Sequence, residues 1–279
     1  MEFRTEEARQ QYDALAAVAR EVLVGLDFDG TLAPIVEDPE RAEIHPDGVA
    51  TLVDLAAHVR AVAVVTGRPA RQVVHLGRFE EVARQLPPGA RLLVRGQYGH
   101  ERWESDTGEF TSPEEPHGLA AFRRELPRLL GQLDAEDAYV EEKGLAVAVH
   151  TRRMADPAAA FARLETELED AAERHGLALE PGKLVLEVRA PGMHKGHALR
   201  EVVADVDAGG VLFAGDDLGD LEAFEAGRAL RSQGLPVLLV CSGSVEHTVL
   251  ADIADVVVDG PAGVLALLRE LSRDAARER

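Results

Sequence analysis

The stretch Val22-Leu23-Val24-Gly25-Leu26-Asp27-Phe28-Asp29-Gly30-Thr31 is a short apolar run that ends in two carboxylates. Helical patterns flank the run, and five apolar residues between helices are typical of a strand buried on both faces of a parallel sheet. The strand stops at Asp27, and Gly30 allows a tight turn directly after Asp29. We therefore expect Asp27 and Asp29 at the carboxyl end of a central strand.

Buried strands of the same kind alternate with helical patterns along most of the chain. This alternation predicts an α/β fold with a doubly wound, mainly parallel, Rossmann-like sheet. The predicted helices cover 5–20, 47–59, 70–76, 195 onward and 261–273, and the predicted strands cover 22–26, 61–65, 92–94, 211–214, 236–240 and 256–258.

The alternation is interrupted in the middle of the chain. Residues 104–118 are rich in Gly, Pro, Ser and acidic residues, which is a linker composition. Helices over 119–131 and 157–174 and strands over 145–150 and 184–188 follow it. We therefore predict a core of residues 1–111 and 189–279, and an inserted α+β domain of residues 112–188.

Length and charge limit the classes of function. A chain of 279 residues suits two domains, and a net charge of −20 argues against binding to nucleic acid or to an anionic membrane surface. The chain starts without a signal-peptide pattern and has no run of eighteen apolar residues. We expect a cytoplasmic protein with a small-molecule substrate, and a monomer, although the sequence leaves the oligomeric state open. The single cysteine, Cys241, is expected in the core.

Polar residues follow three of the predicted strands. They are Asp27 and Asp29, Thr66, and Asp216 with Asp217, while Lys195 opens a helix. Ligands of open α/β sheets bind at the carboxyl ends of the strands, so these groups should converge on one site. So many carboxylates repel one another unless a cation is present, and oxygen ligands with room for water suit Mg²⁺.

Each pattern also has a structural interpretation. Asp27 and Asp29 fit a turn in which an aspartate caps a helix, and Asp216-Asp217 fits a solvated acidic loop. His194 and His197 lack a third metal ligand in sequence and are interpreted as structural. The glycine patterns of nucleotide-binding loops do not occur.

Taken together, the motifs resemble those of the haloacid dehalogenase-like phosphatases. The matching residues, in order, are Asp27-Phe28-Asp29-Gly30-Thr31-Leu32, Thr66-Gly67-Arg68, Lys195 and Gly215-Asp216-Asp217-x-x-Asp220. The resemblance implies that Asp27 is the nucleophile, that Asp29 is the general acid and base, and that Thr66 and Lys195 hold the phosphoryl group. It further implies that Mg²⁺ is bound by the Asp27 carboxylate, the Asp29 carbonyl and Asp216, and that Asp217 and Asp220 support the metal or Lys195. Gly30, Thr31, Gly67 and Arg68 are expected to bind substrate.

Within that superfamily, the inserted segment resembles the cap of the trehalose-6-phosphate phosphatases. The resemblance rests on Glu141-Glu142-Lys143-Gly144, His150-Thr151-Arg152 and Glu187-Val188-Arg189, and it implies that Glu141, Lys143, Arg152 and Glu187 bind sugar hydroxyls. The same charged residues also fit a surface ion-pair strip. Gln97-Tyr98-Gly99 stands where Asn-His-Gly is frequent in that family, Thr66 where Ser is common, and Gly219 where Thr is common.

The resemblance implies a Mg²⁺-dependent hydrolase that converts trehalose 6-phosphate to trehalose and phosphate through an aspartyl-phosphate. Another capped sugar phosphatase, acting on sucrose phosphate or a glycosyl-glycerate phosphate, shares the catalytic residues. A phosphomutase and a non-catalytic sugar-phosphate binding protein stay open as alternatives from other classes.

Overall fold

The computed structural model of the protein describes residue 3 and residues 5–36, 38–243 and 249–277. The chain forms two units. The larger consists of Met1–Ser112 and His194–Arg279, and the smaller is the contiguous segment Pro113–Met193. Among the described residues, no helix combines the length and the hydropathy needed to cross a membrane.

The described residues contain twelve strands, eight in the larger unit and four in the smaller. In chain order they are β1 Val22–Leu26, β2 Ala61–Val65, β3 Leu92–Gly96, β4 Glu101–Glu104, β5 Phe110–Thr111, β6 Tyr139–Glu142, β7 Ala146–His150, β8 Ala178–Gly182, β9 Val185–Arg189, β10 Gly210–Gly215, β11 Val237–Gly243 and β12 Val256–Asp259.

Ten α-helices are described, of which α5 and α6 belong to the smaller unit. They are α1 Glu6–Ala17, α2 Gly48–Ala56, α3 Ala70–Leu76, α4 Phe79–Gln85, α5 Leu119–Gln132, α6 Pro157–Arg174, α7 Lys195–Asp205, α8 Leu221–Ser232, α9 Val249–Ile253 and α10 Gly260–Arg277.

The larger unit is built on an eight-stranded sheet with the order β12-β11-β10-β1-β2-β3-β4-β5. The first six strands are parallel, and β4 and β5 continue the sheet antiparallel at one edge. Every residue of β1, β2, β3 and β10 is buried, because helices pack on both faces. Helices α1 to α4 and α10 contribute apolar side chains to one core, and α7 to α9 contribute to the other. The predicted α/β fold is confirmed.

The smaller unit has two layers. Its antiparallel sheet has the order β6-β7-β9-β8, and side chains from one face of this sheet form a core with α5 and α6. Asp156 starts α6, because its carboxylate accepts a hydrogen bond from the Ala159 amide at 3.0 Å and Pro157 fills the first helical position.

The main differences from the sequence prediction lie where strands are short or exposed. The predicted linker 104–118 contains β5, which pairs with β4 at Arg102 and Thr111. The predicted boundaries of the insertion, 112 and 188, lie one and five residues before those of the smaller unit, since β9 extends through Arg189 and the connection to Met193 stays with this unit. Cys241 is buried in β11, as expected.

Candidate active site

Three neighbouring strands end at the same edge of the large sheet. Strands β10, β1 and β2 are adjacent and parallel, and they are followed by Asp216, Asp27 and Thr66, respectively. The amide of Asp27 donates to the Ala214 carbonyl at 2.9 Å, which continues the ladder one residue beyond β1. The expected convergence of these residues at one edge of the sheet therefore follows from the strand order.

Lys195 links this edge to the start of α7. Its ammonium lies 2.8 Å from Asp27 Oδ1 and 2.8 Å from Asp220 Oδ1, and all three side chains are buried. The helix begins here because His194 Nδ1 accepts a hydrogen bond from the His197 amide at 3.2 Å. His194 is thus a helix cap, in agreement with its structural interpretation.

Asp220 connects the ammonium to the loop that follows β10. Its Oδ2 accepts hydrogen bonds from the amides of Asp216 at 3.0 Å and Asp217 at 3.4 Å. The Asp217 carboxylate accepts a hydrogen bond from the Gly219 amide at 2.9 Å. Together these contacts form a capping box around the short helical turn Leu218–Asp220. Asp217 and Asp220 therefore hold this loop in place.

Gly30 allows Asp216 to approach the turn after β1. Its φ is +68°, and a Cβ atom at this position would lie 2.1 Å from Asp216 Oδ2. The hydroxyl of Ser242 donates to the Gly30 carbonyl at 2.6 Å, so β11 also contributes to this turn. Only glycine fits here, because the position needs both a left-handed backbone and an empty side-chain volume.

The carboxylates of this cluster outnumber its single ammonium. Burial raises the pKa of Asp27, and Lys195 does not compensate because Asp220 and Asp216 add repulsion. Burial, Asp217 and Asp220 together raise the pKa of Asp216 to about 8. Burial also raises the pKa of Asp220. For Lys195, burial lowers the pKa, but Asp220 and Asp27 outweigh it and raise the pKa well above the usual lysine value.

A divalent cation fits this excess of negative charge. One carboxylate oxygen from each of Asp27, Asp216 and Asp220 lies within 4.8 Å of the others. Both oxygens of Asp220 already accept hydrogen bonds, so Asp27 and Asp216 are the better ligands. Hard oxygen donors of this kind, with space for water or a phosphate oxygen, match the preference of Mg²⁺.

The loop after β2 carries Thr66, Gly67 and Arg68. Thr66 is buried, and its hydroxyl oxygen accepts a hydrogen bond from the Arg68 amide at 3.2 Å. The Arg68 guanidinium forms a two-pronged ion pair with Asp29, with both N–O distances at 2.7 Å. Arg68, which is expected to bind substrate, thus contacts the expected general acid in this structure. Gly67 packs closely against Tyr98, so a Cβ atom added to Gly67 would lie only 2.7 Å from the Tyr98 hydroxyl oxygen.

The side-chain hydroxyl of Thr31 lies in an unusual environment. The residue is fully buried, and its Oγ1 has no hydrogen-bond partner within the part of the chain that the structure describes. A buried hydroxyl without a partner is uncommon in folded proteins and calls for an explanation. Its place next to Gly30 makes it a candidate contact for a bound ligand.

The smaller unit carries a charged strip on the sheet face opposite its helices. Glu187 on β9 is buried and accepts hydrogen bonds from Lys143 at 2.7 Å and from Arg189 at 2.9 Å. Burial raises the pKa of Glu187, but Lys143 and Arg189 outweigh burial and hold this pKa below its usual value. Glu141 lies in the same cross-strand row as Glu187, with Ala148 between them, and contacts His150 Nε2 at 2.9 Å.

Arg152 is placed differently from the other three expected sugar-binding residues. It lies beyond the end of β7, is exposed, and donates to the Lys183 carbonyl at 3.4 Å. Sequence reasoning assigned no role to Arg189, Tyr98 or Ser242. For Ser242 a signal existed, because it lies at the end of β11, the strand next to β10 in the sheet.

Comparison with known proteins identifies a family for this chain. The family model described as Trehalose-phosphatase matches residues 25–83 and 125–258. The first matched segment includes Asp27, Asp29 and Thr66, and the second includes Lys195 and Asp216. The match therefore spans both parts of the larger unit and most of the smaller one.

Curated relatives and solved structures agree with this match. The trehalose-phosphate phosphatase of Mycobacterium avium is 30% identical over 278 residues, covering 95% of this chain and 65% of the relative. That of Mycobacterium bovis is 29% identical over 266 residues, covering 92% and 62%. The chain thus spans less than two thirds of the length of these relatives. The structure of Aspergillus fumigatus trehalose-6-phosphate phosphatase aligns with a TM-score of 0.67 at 25% identity, covering 95% of this chain and 97% of that one.

Proposed function

This chain belongs to the trehalose-phosphatase family, and from that premise we propose that it hydrolyses trehalose 6-phosphate to trehalose and phosphate. The observation that carries the proposal is the position of Asp27 at the end of β1. There it is buried, paired with Lys195 at 2.8 Å, and close to the Asp216 carboxylate. A carboxylate so placed can attack phosphorus while the adjacent ammonium attracts the phosphoryl oxygens.

In the first step, an Asp27 oxygen bonds to phosphorus as the bond from phosphorus to the sugar oxygen breaks. Asp29 leaves its ion pair with Arg68, takes up a proton and gives it to the departing sugar oxygen, because an alkoxide is a poor leaving group. Lys195 and Thr66 hold the phosphoryl oxygens during this transfer. The products of the step are trehalose and an aspartyl-phosphate.

In the second step, Asp29 accepts a proton from a water molecule that attacks phosphorus. The bond from Asp27 to phosphorus breaks, phosphate leaves, and Asp27 regains its carboxylate. Asp27, Asp216 and the backbone carbonyl of Asp29 would hold Mg²⁺, which supplies positive charge for the phosphoryl group. Asp217 and Asp220 fix the loop that carries Asp216.

The smaller unit supplies recognition of the sugar in this proposal. A disaccharide offers many hydroxyls, and charged side chains make strong hydrogen bonds to them. Glu141, Lys143 and Glu187 are the proposed contacts. Arg152 is retained as a proposed contact on the family resemblance alone.

Phosphate release from a panel of sugar phosphates tests the proposal, with Mg²⁺ in one arm and EDTA in the other. We expect hydrolysis of trehalose 6-phosphate that depends on the metal and falls by roughly 10⁴-fold or more in Asp27→Asn. Asp13→Asn, an exposed aspartate of α1, serves as the matched control with full activity. Equal cleavage of sucrose phosphate and glycosyl-glycerate phosphate would contradict the substrate assignment, and near-normal turnover by Asp27→Asn would contradict the nucleophile.

A further inference from the structure

The sheet face of the smaller unit that lies opposite its helices carries an aromatic row beside its charged residues. Tyr139 on β6 and His150 on β7 are direct cross-strand partners, and their ring centres lie 5.5 Å apart. Val140 packs toward the core with α5 and α6, so Tyr139 and Glu141 on either side of it share the open face. We call Tyr139 with His150 the aromatic row, and the neighbouring row from Glu141 across β7 to Glu187 the charged row.

Tyr139 is held in position and is still accessible. The Arg153 guanidinium carbon lies 5.3 Å from the centre of the Tyr139 ring, and His150, which flanks the ring, contacts Glu141 at 2.9 Å. Tyr139 is nevertheless 48% exposed. Within the segment 113–193, all of which the structure describes, no other large hydrophobic side chain is exposed. Tyr139 thus offers an oriented apolar surface next to the charged row.

A sugar ring presents two kinds of surface to a protein. Its hydroxyls lie around the rim and form strong hydrogen bonds with charged side chains, whereas its C–H groups form apolar faces. A tyrosine ring buries such a face at a low cost in side-chain entropy, because only two torsions have to be fixed. Small-molecule sites commonly combine aromatic walls with a few well-placed polar groups. The two rows together therefore suit a sugar better than the charged row alone.

The separation of the two ends of this surface fits a ligand with two sugar rings. Residues along a strand are about 3.4 Å apart, and neighbouring strands are about 4.8 Å apart. Tyr139 lies two residues along β6 from Glu141, and Glu187 lies two strands across from Glu141. The Cα atoms of Tyr139 and Glu187 are therefore roughly 12 Å apart. One sugar ring bound at Glu187 fills only part of this span, whereas two linked rings fill it.

We propose that Tyr139 is a specificity-determining residue, which packs against one ring of a disaccharide phosphate while the charged row binds hydroxyls of the other, and so favours two-ring over one-ring substrates. The inference rests on the proposed function, because it takes the open face as the sugar-binding surface. It goes beyond that function because the four expected sugar contacts, Glu141, Lys143, Arg152 and Glu187, are all hydrogen-bonding groups. Apolar contact at Tyr139 adds a preference for the length of the ligand.

The test compares a two-ring with a one-ring substrate. In Tyr139→Ala, kcat/KM for trehalose 6-phosphate should fall about tenfold, mainly through KM, because the contact is made in the bound substrate as well as in the transition state. For glucose 6-phosphate, kcat/KM, or its Ki as a competitive inhibitor, should change less than about twofold. Tyr139→Phe should stay within about twofold of the wild type on both sugars, since the ring makes the contact.

Binding without turnover gives a second readout. Calorimetric titration of trehalose 6-phosphate into Asp27→Asn, with Mg²⁺ present, should show a Kd that rises about tenfold when Tyr139→Ala is added. Asp137→Ala, an exposed residue just before β6, is the matched control and should keep wild-type kinetics. Thermal unfolding of each variant checks that the smaller unit is intact.

Three results would overturn the proposal. They are an equal loss on trehalose 6-phosphate and glucose 6-phosphate in Tyr139→Ala, which would place the effect in the position of His150 and Glu141, a loss in Tyr139→Phe as large as in Tyr139→Ala, and an unchanged Kd. Failure of the proposed function is recognised separately, because the wild-type protein then cleaves another disaccharide phosphate such as sucrose phosphate. A loss in Tyr139→Ala confined to that disaccharide would still support the role of Tyr139, whereas a wild type that cleaves only one-ring phosphates would overturn both.

Discussion

Replacing Lys195 by methionine removes the positive charge between Asp27 and Asp220 while keeping a side chain of similar length. Both Nζ–O distances are 2.8 Å and all three groups are buried, so the variant leaves two carboxylates in the interior without their cation. Removing one partner of a buried ion pair costs about 3–5 kcal/mol. At about 2–4 °C per kcal/mol for a domain of this size, we expect Tm to fall by roughly 10 °C in EDTA at pH 8.

The loss of folding stability in Lys195→Met should depend on pH in a defined direction. Without Lys195, the pKa values of Asp27 and Asp220 in the folded state, already raised by burial, rise further above those of the unfolded chain. A carboxyl whose folded pKa is raised favours folding at low pH and loses this contribution as the pH rises through that pKa. The deficit of Lys195→Met relative to the wild type should therefore shrink between pH 8 and pH 5.

Urea unfolding at several pH values measures this deficit directly. Lys183→Met, an exposed lysine of the smaller unit, is the matched control and should change stability by less than about 0.5 kcal/mol. Adding Asp220→Asn to Lys195→Met should restore part of the loss, since one buried charge disappears. A deficit below about 1 kcal/mol at pH 8, or one that grows toward pH 5, would refute the reasoning.

The remaining predictions concern the metal site and the charged strip. Because the pKa of Asp216 is raised to about 8, Mg²⁺ binding at pH 7 should release close to one proton, and affinity should rise steeply between pH 6 and pH 8. Calorimetry in two buffers of different ionisation enthalpy checks this, and binding without proton release would contradict it. Glu187→Gln should lower kcat/KM for trehalose 6-phosphate by roughly 10- to 100-fold but spare 4-nitrophenyl phosphate. The pKa of Glu187 in the wild-type protein is lowered, so the stability that Lys143 and Arg189 contribute through Glu187 is lost as the pH falls through that pKa. Urea unfolding midpoints of the wild type and Glu187→Gln, compared across pH, would show this loss.

The strands that end at the site could be predicted because their burial is visible in the sequence. Strand β2 was predicted at 61–65 and is observed at Ala61–Val65. A strand covered by helices on both faces of the sheet needs apolar residues throughout, so its unbroken apolar run marks both of its ends. Parallel neighbours then place Asp27, Thr66 and Asp216 at one edge without any knowledge of side-chain contacts.

Other features depend on contacts that a local pattern does not encode. The partner of Arg68 lies 39 residues earlier in the chain, and a guanidinium near several carboxylates does not indicate which one it will bind. The turn at Gln97 and Tyr98 was missed because neither residue favours a positive φ. Strands β6 and β8 were missed because they are largely exposed and lack an apolar run.

The strand order of the large sheet has a consequence for synthesis on the ribosome. Strand β1 lies between β2 and β10, yet β10 begins only at Gly210, after the segment Pro113–Met193. At a synthesis rate of about 5–20 residues per second, the edge of β1 that pairs with β10 stays unpaired for roughly 10 to 40 s after β1 emerges. Asp27 meets Lys195 and Asp216 only after these residues have been synthesised, so the nascent chain exposes an unpaired strand edge before the proposed catalytic residues come together.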